Sequence, residues 1–376
     1  MGGTIRTTLN TAESLADLGH QVRIATVGRN KAVPDFAIDP RIEVLTLWDQ
    51  RPVEEGGEEL DAADRALAES TSLLETWDVP GSAKQSALTD RRVRDYLRTT
   101  DADVVVGTNL GLNLYLAEYG RRDTVRVAQE HLYFDLYPEA RQRRLTRSFR
   151  KLDAVVTTTE IDARRYREAM PRYRGLIECV PNSIPACGAP RPAEVPNVIV
   201  GAGRISPGKG FDTLIRAFAR VADGRPDWRL RICGRGPDLK RLEQLAEDLR
   251  VEDKVEFPGA VMPIGPEWAN AAIAVVPSHF ESFGLTVIEA MGAGAPLICS
   301  KVPNGPIELV DDEVNGVFFK SKDWRSLQAA LERLIGDPGL RAKLAEGGRE
   351  TARRYEPDQV VQQHAALFER LVAGRR

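Results

Sequence analysis

Two carboxylates, Glu281 and Glu289, stand eight positions apart in Glu281-Ser282-Phe283-Gly284-Leu285-Thr286-Val287-Ile288-Glu289, where a loop runs into an apolar helix. Upstream, Ile273-Ala274-Val275-Val276-Pro277-Ser278 has the composition of a short buried strand, and Leu285 to Met291 that of the first turns of a packed helix. Gly284 then marks a strand-to-helix turn. Backbone N–H groups at such a helix start lack intrahelical partners and carry partial positive charge, which suits an anionic diphosphate. On one continuous helix eight residues rise roughly 12 Å, whereas the carboxyls of a retaining glycosidase stand about 5–5.5 Å apart. The spacing therefore fits two groups gripping separate parts of one elongated ligand, against the plainer reading of a helix-capping Glu281 and a solvated Glu289.

A second cluster lies earlier. Val198-Ile199-Val200-Gly201-Ala202-Gly203 reads as a strand ending in glycines, followed by Arg204-Ile205-Ser206-Pro207-Gly208-Lys209-Gly210 and an amphipathic helix from Phe211 to Val221. Arg204 offers a forked contact to phosphate oxygens and Lys209 a point charge. Gly203, Gly208 and Lys209 also satisfy P-loop spacing. However, Gly210 occupies the place where a P-loop NTPase needs Ser or Thr for magnesium, and no acidic strand partner is visible. Asp101-Ala102-Asp103 forms an Asp-x-Asp, but it directly precedes the apolar run Val104-Val105-Val106, where Asp is a common turn residue. It is assigned a structural role, and no essential metal is expected. His131 follows the strand Val125 to Gln129 at its carboxyl end, the side of a parallel sheet that ligands favour, and is a functional candidate. His20, His279 and His364 receive no catalytic role, although His279 is close enough to Glu281 to line a cleft.

These residues need rigid elements to hold them. Thr7 to Leu18 has a helical pattern, Gln21 to Val27 and Ile42 to Leu47 read as strands, and Asp61 to Thr76 as a helix. Val104 to Gly107, Val125 to Gln129 and Ala154 to Thr158 then alternate with helices. A linker is expected in Ile184 to Asn197, which Pro185, Gly188, Pro190, Pro192 and Pro196 punctuate. Beyond it, strands near Val198, Leu230, Val255, Ile273 and Pro296 alternate with helices. A chain of 376 residues exceeds one ordinary core, so two domains of about 150–190 residues are expected. Alternating strands and helices imply parallel sheets, hence an α/β chain of two doubly wound domains facing one cleft. The acidic loop Glu54 to Glu59 is expected to be solvated or mobile.

Together, the Gly-rich strand end, Arg204, Lys209 and the stretch Glu281 to Glu289 resemble the retaining glycosyltransferases of family four, which have the GT-B fold. The most specific element is Glu-x7-Glu combined with the preceding Gly-Arg-x4-Lys-Gly. Further matches are Gly2-Gly3, Glu130-His131, Pro181-Asn182-Ser183, Gly234-Arg235-Gly236 and Gly305-Pro306-x-Glu308, so the resemblance spans nearly the whole chain. It implies two Rossmann-like domains. Residues 1–188 take the acceptor, with a final helix of about 357–376 packing back on them, and residues 189–356 bind the donor. Arg204 and Lys209 are implied to neutralise the diphosphate of a UDP- or GDP-sugar, Glu281 to hold donor-sugar hydroxyls, and Glu289 the ribose. Backbone at Gly284 and Leu285 is implied to meet the phosphates, with the nucleobase against Gly234 to Gly236 and Pro258 to Val261. His131 is implied to lie near the transferred sugar, Gly3 to help bind the donor, and the acceptor to be presented around Gly2, Gly3 and His131.

The catalytic set so implied is Glu281, His131, Arg204 and Lys209, acting through an oxocarbenium-like state, with retained anomeric configuration and no metal. The acceptor is a hydroxyl of a glycan, polyol or lipid-linked molecule, and the similarity of Asn304-Gly305-Pro306 with Glu308 to polymer-building relatives favours a cell-envelope polysaccharide. Other readings are a natural-product glycosyltransferase, a sugar-nucleotide epimerase or phosphorylase, and a catalytically silent binding module. The family usually opens with a strand ahead of the Gly-rich turn, yet Met1 directly precedes Gly2-Gly3. The expectation is a start internal to a longer protein and a first sheet lacking its central strand.

The four cysteines, Cys179, Cys187, Cys233 and Cys299, show no Cys-x2-Cys spacing, and Cys233 and Cys299 read as buried thiols. With no signal peptide and no apolar run of about 18 residues, a soluble, cytoplasmic chain is expected. A net charge of −3 implies no global attraction to nucleic acid. Arg141 to Arg174 nonetheless holds 11 Lys or Arg against 4 Asp or Glu. The segment Arg141 to Lys151 is therefore a candidate for peripheral contact with an anionic membrane.

Overall fold

The computed structural model describes residues 3–34, 36–72, 85–184 and 191–375. Gly2, Cys187, the end of the expected helix at 73–76, and Pro185, Gly188 and Pro190 of the expected linker lie outside the described residues. The chain divides into two units, Met1–Val180 with Val361–Arg376, and Pro181–Val360.

In the first unit the strands are β1 (Arg23–Thr26), β2 (Glu43–Thr46), β3 (Val104–Gly107), β4 (Val125–Glu130), β5 (Ala154–Thr157) and β6 (Leu176–Cys179). They form two separate parallel sheets, β1-β2 and β3-β4-β5-β6. Side chains such as Leu97, Leu114, Leu145, Phe149 and Tyr166 pack the larger sheet, driven by removal of apolar surface from water. The helix Pro357–Ala373 belongs mostly to this unit, where Arg370 Nη2 donates to Glu178 Oε1 at 2.6 Å and Arg375 pairs with Asp153.

In the second unit β7 (Val198–Ala202), β8 (Arg229–Cys233), β9 (Val255–Gly259), β10 (Ile273–Val276), β11 (Leu297–Lys301) and β12 (Val317–Lys320) form one parallel sheet. Its order is β12-β11-β10-β7-β8-β9. The helix Phe211–Ala222 covers one face, because Phe211, Leu214, Ile215, Phe218 and Val221 recur at helical spacing and pack with Ile199, Leu230 and Ile232. The helix Leu285–Gly292 covers the other, packing Val287, Ile288 and Met291 with Ala274, Val276 and Leu297. A sheet buried on both faces explains why β7 and β10 read as unbroken apolar runs.

One helix is shorter than the sequence pattern suggests, and two strands are additional to it. The helix expected over Asp61 to Thr76 is Ala62–Glu69: Asp61 caps its start by accepting from Asp64 N at 2.7 Å, and Ser70 is already extended, at φ −84° and ψ 144°. Strands β6 and β12 went unanticipated; each is four residues long and begins or ends exposed, so neither carries a strong pattern. The acidic loop Glu54 to Glu59 is solvated as expected, exposed at every position but Gly57, and Glu58 takes a forked contact from Arg92 at 2.5 Å on each oxygen. The basic helix Glu139–Phe149 and the residues after it carry exposed ion pairs, including Arg143 with Glu139 and Lys151 with Glu118. Among the described residues no helix is long and apolar enough to cross a membrane.

Candidate active site

Strand β7 lies between β8, which follows it in sequence, and β10, which comes later, so the loops leaving β7 and β10 diverge to opposite faces of the sheet. Such a switch point opens a crevice outside the carboxyl ends of parallel strands. The loop after β7 carries Arg204 and Lys209, and the loop after β10 carries Glu281. Lys209 Nζ donates to Glu281 Oε1 at 2.5 Å, and Ser278 Oγ donates to the same oxygen at 2.7 Å. The contact joins side chains 72 positions apart in the chain. Both donors meet Oε1, which leaves Oε2 without a hydrogen-bond partner among the described residues.

Backbone contacts hold the two loops together. His279 N donates to Gly208 O at 2.9 Å. Gly210 sits at φ +66°, and a Cβ there would come within 2.1 Å of Pro277 O, so the approach of the loops requires glycine. The turn after β8 is laid against the loop after β7 in the same way: a Cβ on Gly234 would stand 1.8 Å from Gly203 O, and Ile205 N donates to Arg235 O at 2.9 Å. Helix Leu285–Gly292 starts from Gly284 at φ +96°, with no side chain capping it. Glu281 is thus not a helix cap, and the helix N-terminus keeps amide donors available to an anion.

Around this frame the other expected donor-side residues fall in the same unit. Arg204 is exposed and carries no hydrogen bond or ion pair among the described residues, so its guanidinium is available to a ligand. Leu285 opens the helix, Glu289 is half-buried one turn on, and Val261 is half-buried just beyond β9. His279 titrates below the ordinary histidine range, chiefly because burial disfavours its charged form; Asp212 opposes this and Lys322 adds to it. Cys233 is pushed up to about 11 by burial, and burial raises Cys299 further, with the Glu281 charge adding to it. Neither thiol is poised as a nucleophile.

His131 and Gly3 belong to the first unit. Gly3 opens the helix Gly3–Asp17 and is exposed; His131 follows β4 and is half-buried. Beside it in sequence, Glu130 is buried, accepting from Asn113 Nδ2 at 2.6 Å and Tyr137 Oη at 2.7 Å. Burial pushes its carboxyl up to about 7. Asp101 of the Asp-x-Asp pairs with Arg23 Nη1 at 3.1 Å and is otherwise well exposed. No group of three or more His, Cys, Asp or Glu that could hold a metal occurs among the described residues.

Two residues received no role beside Glu281 in the sequence reading. Ser278 orients Glu281, and Ser300 Oγ in turn donates to Ser278 O. Asn304, buried and at φ +67°, forms a parallel bridge with Glu281. A polar residue at the end of an apolar strand is a weak signal for Ser278. Asn304 entered the sequence reading only as part of Asn304-Gly305-Pro306; its left-handed backbone and its bridge to Glu281 appear only in three dimensions.

Residues 189–351 match the family model of glycosyl transferases group 1, and residues 2–183 that of the glycosyl transferase 4-like domain. An exopolysaccharide phosphotransferase of Streptomyces coelicolor is 32% identical over 384 residues, covering 100% of this chain and 40% of that protein. An uncharacterised glycosyltransferase of Haemophilus influenzae is 24% identical, covering 98% of this chain and 96% of its own length. The chain spans less than half of the first relative's length and, by contrast, nearly all of the second's. Among solved structures, sucrose-phosphate synthase from Thermosynechococcus elongatus superimposes with a TM-score of 0.78 at 20% identity, covering 99% of this chain and 94% of that one. S. aureus TarM gives 0.77 at 13% identity, covering 98% and 97%. Anabaena HepE in complex with UDP-glucose gives 0.75 at 18% identity, covering 98% and 96%. The two family matches together cover nearly the whole chain and these folds agree with its parallel-sheet architecture, so the chain belongs to the group 1 glycosyltransferases of GT-B fold.

Proposed function

We propose that this protein is a retaining glycosyltransferase that moves a hexose-type sugar from a UDP- or GDP-sugar to an acceptor hydroxyl. The observation that carries the reading is the meeting of Lys209 and Glu281 at the sheet's switch point, between the exposed Arg204 and the uncapped start of the helix Leu285–Gly292. A diphosphate seated there faces Arg204, Lys209 and the backbone N–H groups at Gly284 and Leu285. Glu281 Oε2 accepts from donor-sugar hydroxyls, Glu289 holds the ribose, and the Gly234 turn with Val261 borders the base. As the bond from anomeric carbon to phosphate breaks, positive charge grows on the sugar and negative charge on the departing diphosphate. The preorganised cations oppose the latter, and the acceptor oxygen attacks on the face the diphosphate leaves. His131 of the first unit acts on the sugar and acceptor side.

Names of relatives support the donor and acceptor classes: HepE and TarM were solved with UDP-glucose and UDP respectively, and the Streptomyces relative is named for exopolysaccharide. The acceptor we favour is accordingly a polysaccharide or another cell-envelope glycan. No metal is required in this scheme.

The test is a screen of UDP-, GDP- and ADP-sugars for thermal stabilisation and slow donor hydrolysis, with and without EDTA. A ligand at 100 times its dissociation constant stabilises by about 2.7 kcal/mol. One donor is expected to shift the melting midpoint equally in EDTA, and Arg204→Ala to abolish that shift; the product's anomeric proton coupling reports retention. Absence of a shift with every donor would sink the proposal and leave a silent interaction module. Loss of the shift in EDTA alone would overturn the metal-free scheme.

A further inference from the structure

His131 is the first residue beyond β4, and residues 131–138 carry the chain from that strand to the helix Glu139–Phe149. β4 pairs with β3 on one side and β5 on the other, so the backbone at the end of the strand is fixed. The direction of the His131 ring depends in addition on how the residues after it are held, and connecting loops are ordinarily the more mobile parts of a fold.

Two buried carboxyls hold this loop. Glu130 Oε2 accepts from Tyr137 Oη at 2.7 Å, which ties the far end of the loop back to the strand it leaves. The other oxygen, Oε1, accepts from Asn113 Nδ2 at 2.6 Å, and the same amide reaches Gln129 O at 3.2 Å, so the carboxyl is itself fixed from the helix Leu110–Tyr119. In the middle of the loop, Phe134 N donates to Asp162 Oδ1 at 2.8 Å, across 28 positions of sequence. Asp162 is the third residue of the helix Glu160–Ala169, whose start Thr159 caps. From that position a capping box turns a Glu or Gln back onto its own helix; the Asp162 side chain serves the loop instead. Gln142 Nε2 donates to Tyr137 O at 2.9 Å, and the Phe134 ring meets Tyr166 edge-on with centroids 4.9 Å apart.

Burying both carboxyls is costly. Burial pushes each up to about 7, and the Glu130 charge adds to the rise at Asp162. Costs of this kind concentrate at functional sites, and the segment held here is the one that opens with His131. We propose that Glu130 and Asp162 are positioning residues for the transfer reaction, fixing the loop at 131–138 through Tyr137 Oη and Phe134 N and so setting the direction of the His131 ring. Both are buried, at 1% and 2% exposure, so they act through the loop rather than on substrate. The inference rests on the role given above to His131.

The chain has four histidines, and the ring resonances of His131 are assigned by their loss in His131→Asn. Asp162→Ala deletes the acceptor of Phe134 N, Tyr137→Phe deletes the donor to Glu130, and Asp162→Asn keeps an oxygen for Phe134 N. The first two variants are expected to move the His131 ring resonances and leave those of His279, in the second unit, in place. They are expected to lower kcat by about 10–100-fold, with stabilisation by the donor unchanged. Asp162→Asn is expected to return the resonances to their parent positions and kcat to within about threefold of the parent. A loop anchor without a positioning role would lower the melting midpoint and leave the ring resonances and kcat where they are. An unmoved ring in folded Asp162→Ala or Tyr137→Phe, a moved ring with kcat unchanged, or no rescue by Asp162→Asn would each overturn the proposal. Should Asp162→Ala fail to fold, Tyr137→Phe carries the same expectations. Full turnover in His131→Asn would remove His131 from the reaction and the positioning role with it. A parent that binds no donor sinks the transferase reading instead, and the ring resonances still decide whether the two carboxyls set the direction of His131.

Discussion

The two units use the same strand-helix grammar and reach different ends. In the second, six strands form one continuous sheet whose reversal between β7 and β10 gathers Lys209, Glu281 and Ser278 into a bonded cluster. In the first, the six strands among the described residues fall into sheets of two and four, with a cavity of mixed lining between them. The difference teaches that side chains distant in sequence meet where a continuous sheet sets adjacent strand ends side by side. Glycines such as Gly210 and Gly234 bring loops within backbone contact only when the strands beneath them are held at fixed spacing.

Core truncation should expose this contrast most strongly. Phe218 is fully buried in the second unit, and Phe218→Ala is expected to cost about 3–5 kcal/mol. Val105→Ala removes apolar volume beside an existing cavity and is expected to cost under about 1 kcal/mol. Chemical denaturation of each variant measures both, and equal costs would show the first unit to be as well packed as the second. Next in size is Lys209→Ala. It is expected to lower turnover by about 10²–10³-fold, equivalent to about 2.7–4 kcal/mol of lost transition-state stabilisation, with the circular dichroism spectrum unchanged. A turnover within threefold of the parent would remove Lys209 from the site.

A smaller effect concerns pH. The Glu130 carboxyl is raised from 4.5 to about 7 by burial, against the opposing bonds from Tyr137 and Asn113, and Asp162 is raised in the same direction by burial. Between those values the native state holds a proton that the unfolded chain has released. This contribution is fully present below about pH 4.5 and is lost as pH rises through about 7, on the order of 1–3 kcal/mol. Glu130→Gln should flatten the fall of stability over this window, as read from denaturant midpoints at pH 5 and 7.5; an unchanged slope would refute the assignment. Smallest is Asp101→Asn. Asp101 is exposed and, among the described residues, its ion pair is with Arg23, so no resolvable change in melting midpoint is expected, nor any change in transfer with or without EDTA. A metal-dependent loss of activity in this variant would restore the Asp-x-Asp as a metal site.

Local chemistry made much of the second unit legible. The apolar runs of β7 and β10, the helical spacing from Phe211 to Val221, and Gly284 before a packed helix are statements about neighbours in sequence, where propensity and period act directly. The types of Arg204, Lys209 and Glu281 were legible for the same reason. Weak patterns hid β6 and β12, and the length of the helix after Asp61 was overread because its apolar spacing continues past the residue at which the backbone becomes extended.

By itself, then, the sequence determined the parallel α/β architecture and the residue types able to meet a diphosphate, because burial periodicity and side-chain charge belong to each segment. Tertiary structure alone decided that Lys209 and Ser278 share one oxygen of Glu281, that Arg204 has no partner among the described residues, and that Glu58 meets Arg92. Those outcomes depend on which distant strands become neighbours, and strand order is fixed by packing of the whole sheet rather than by any one segment.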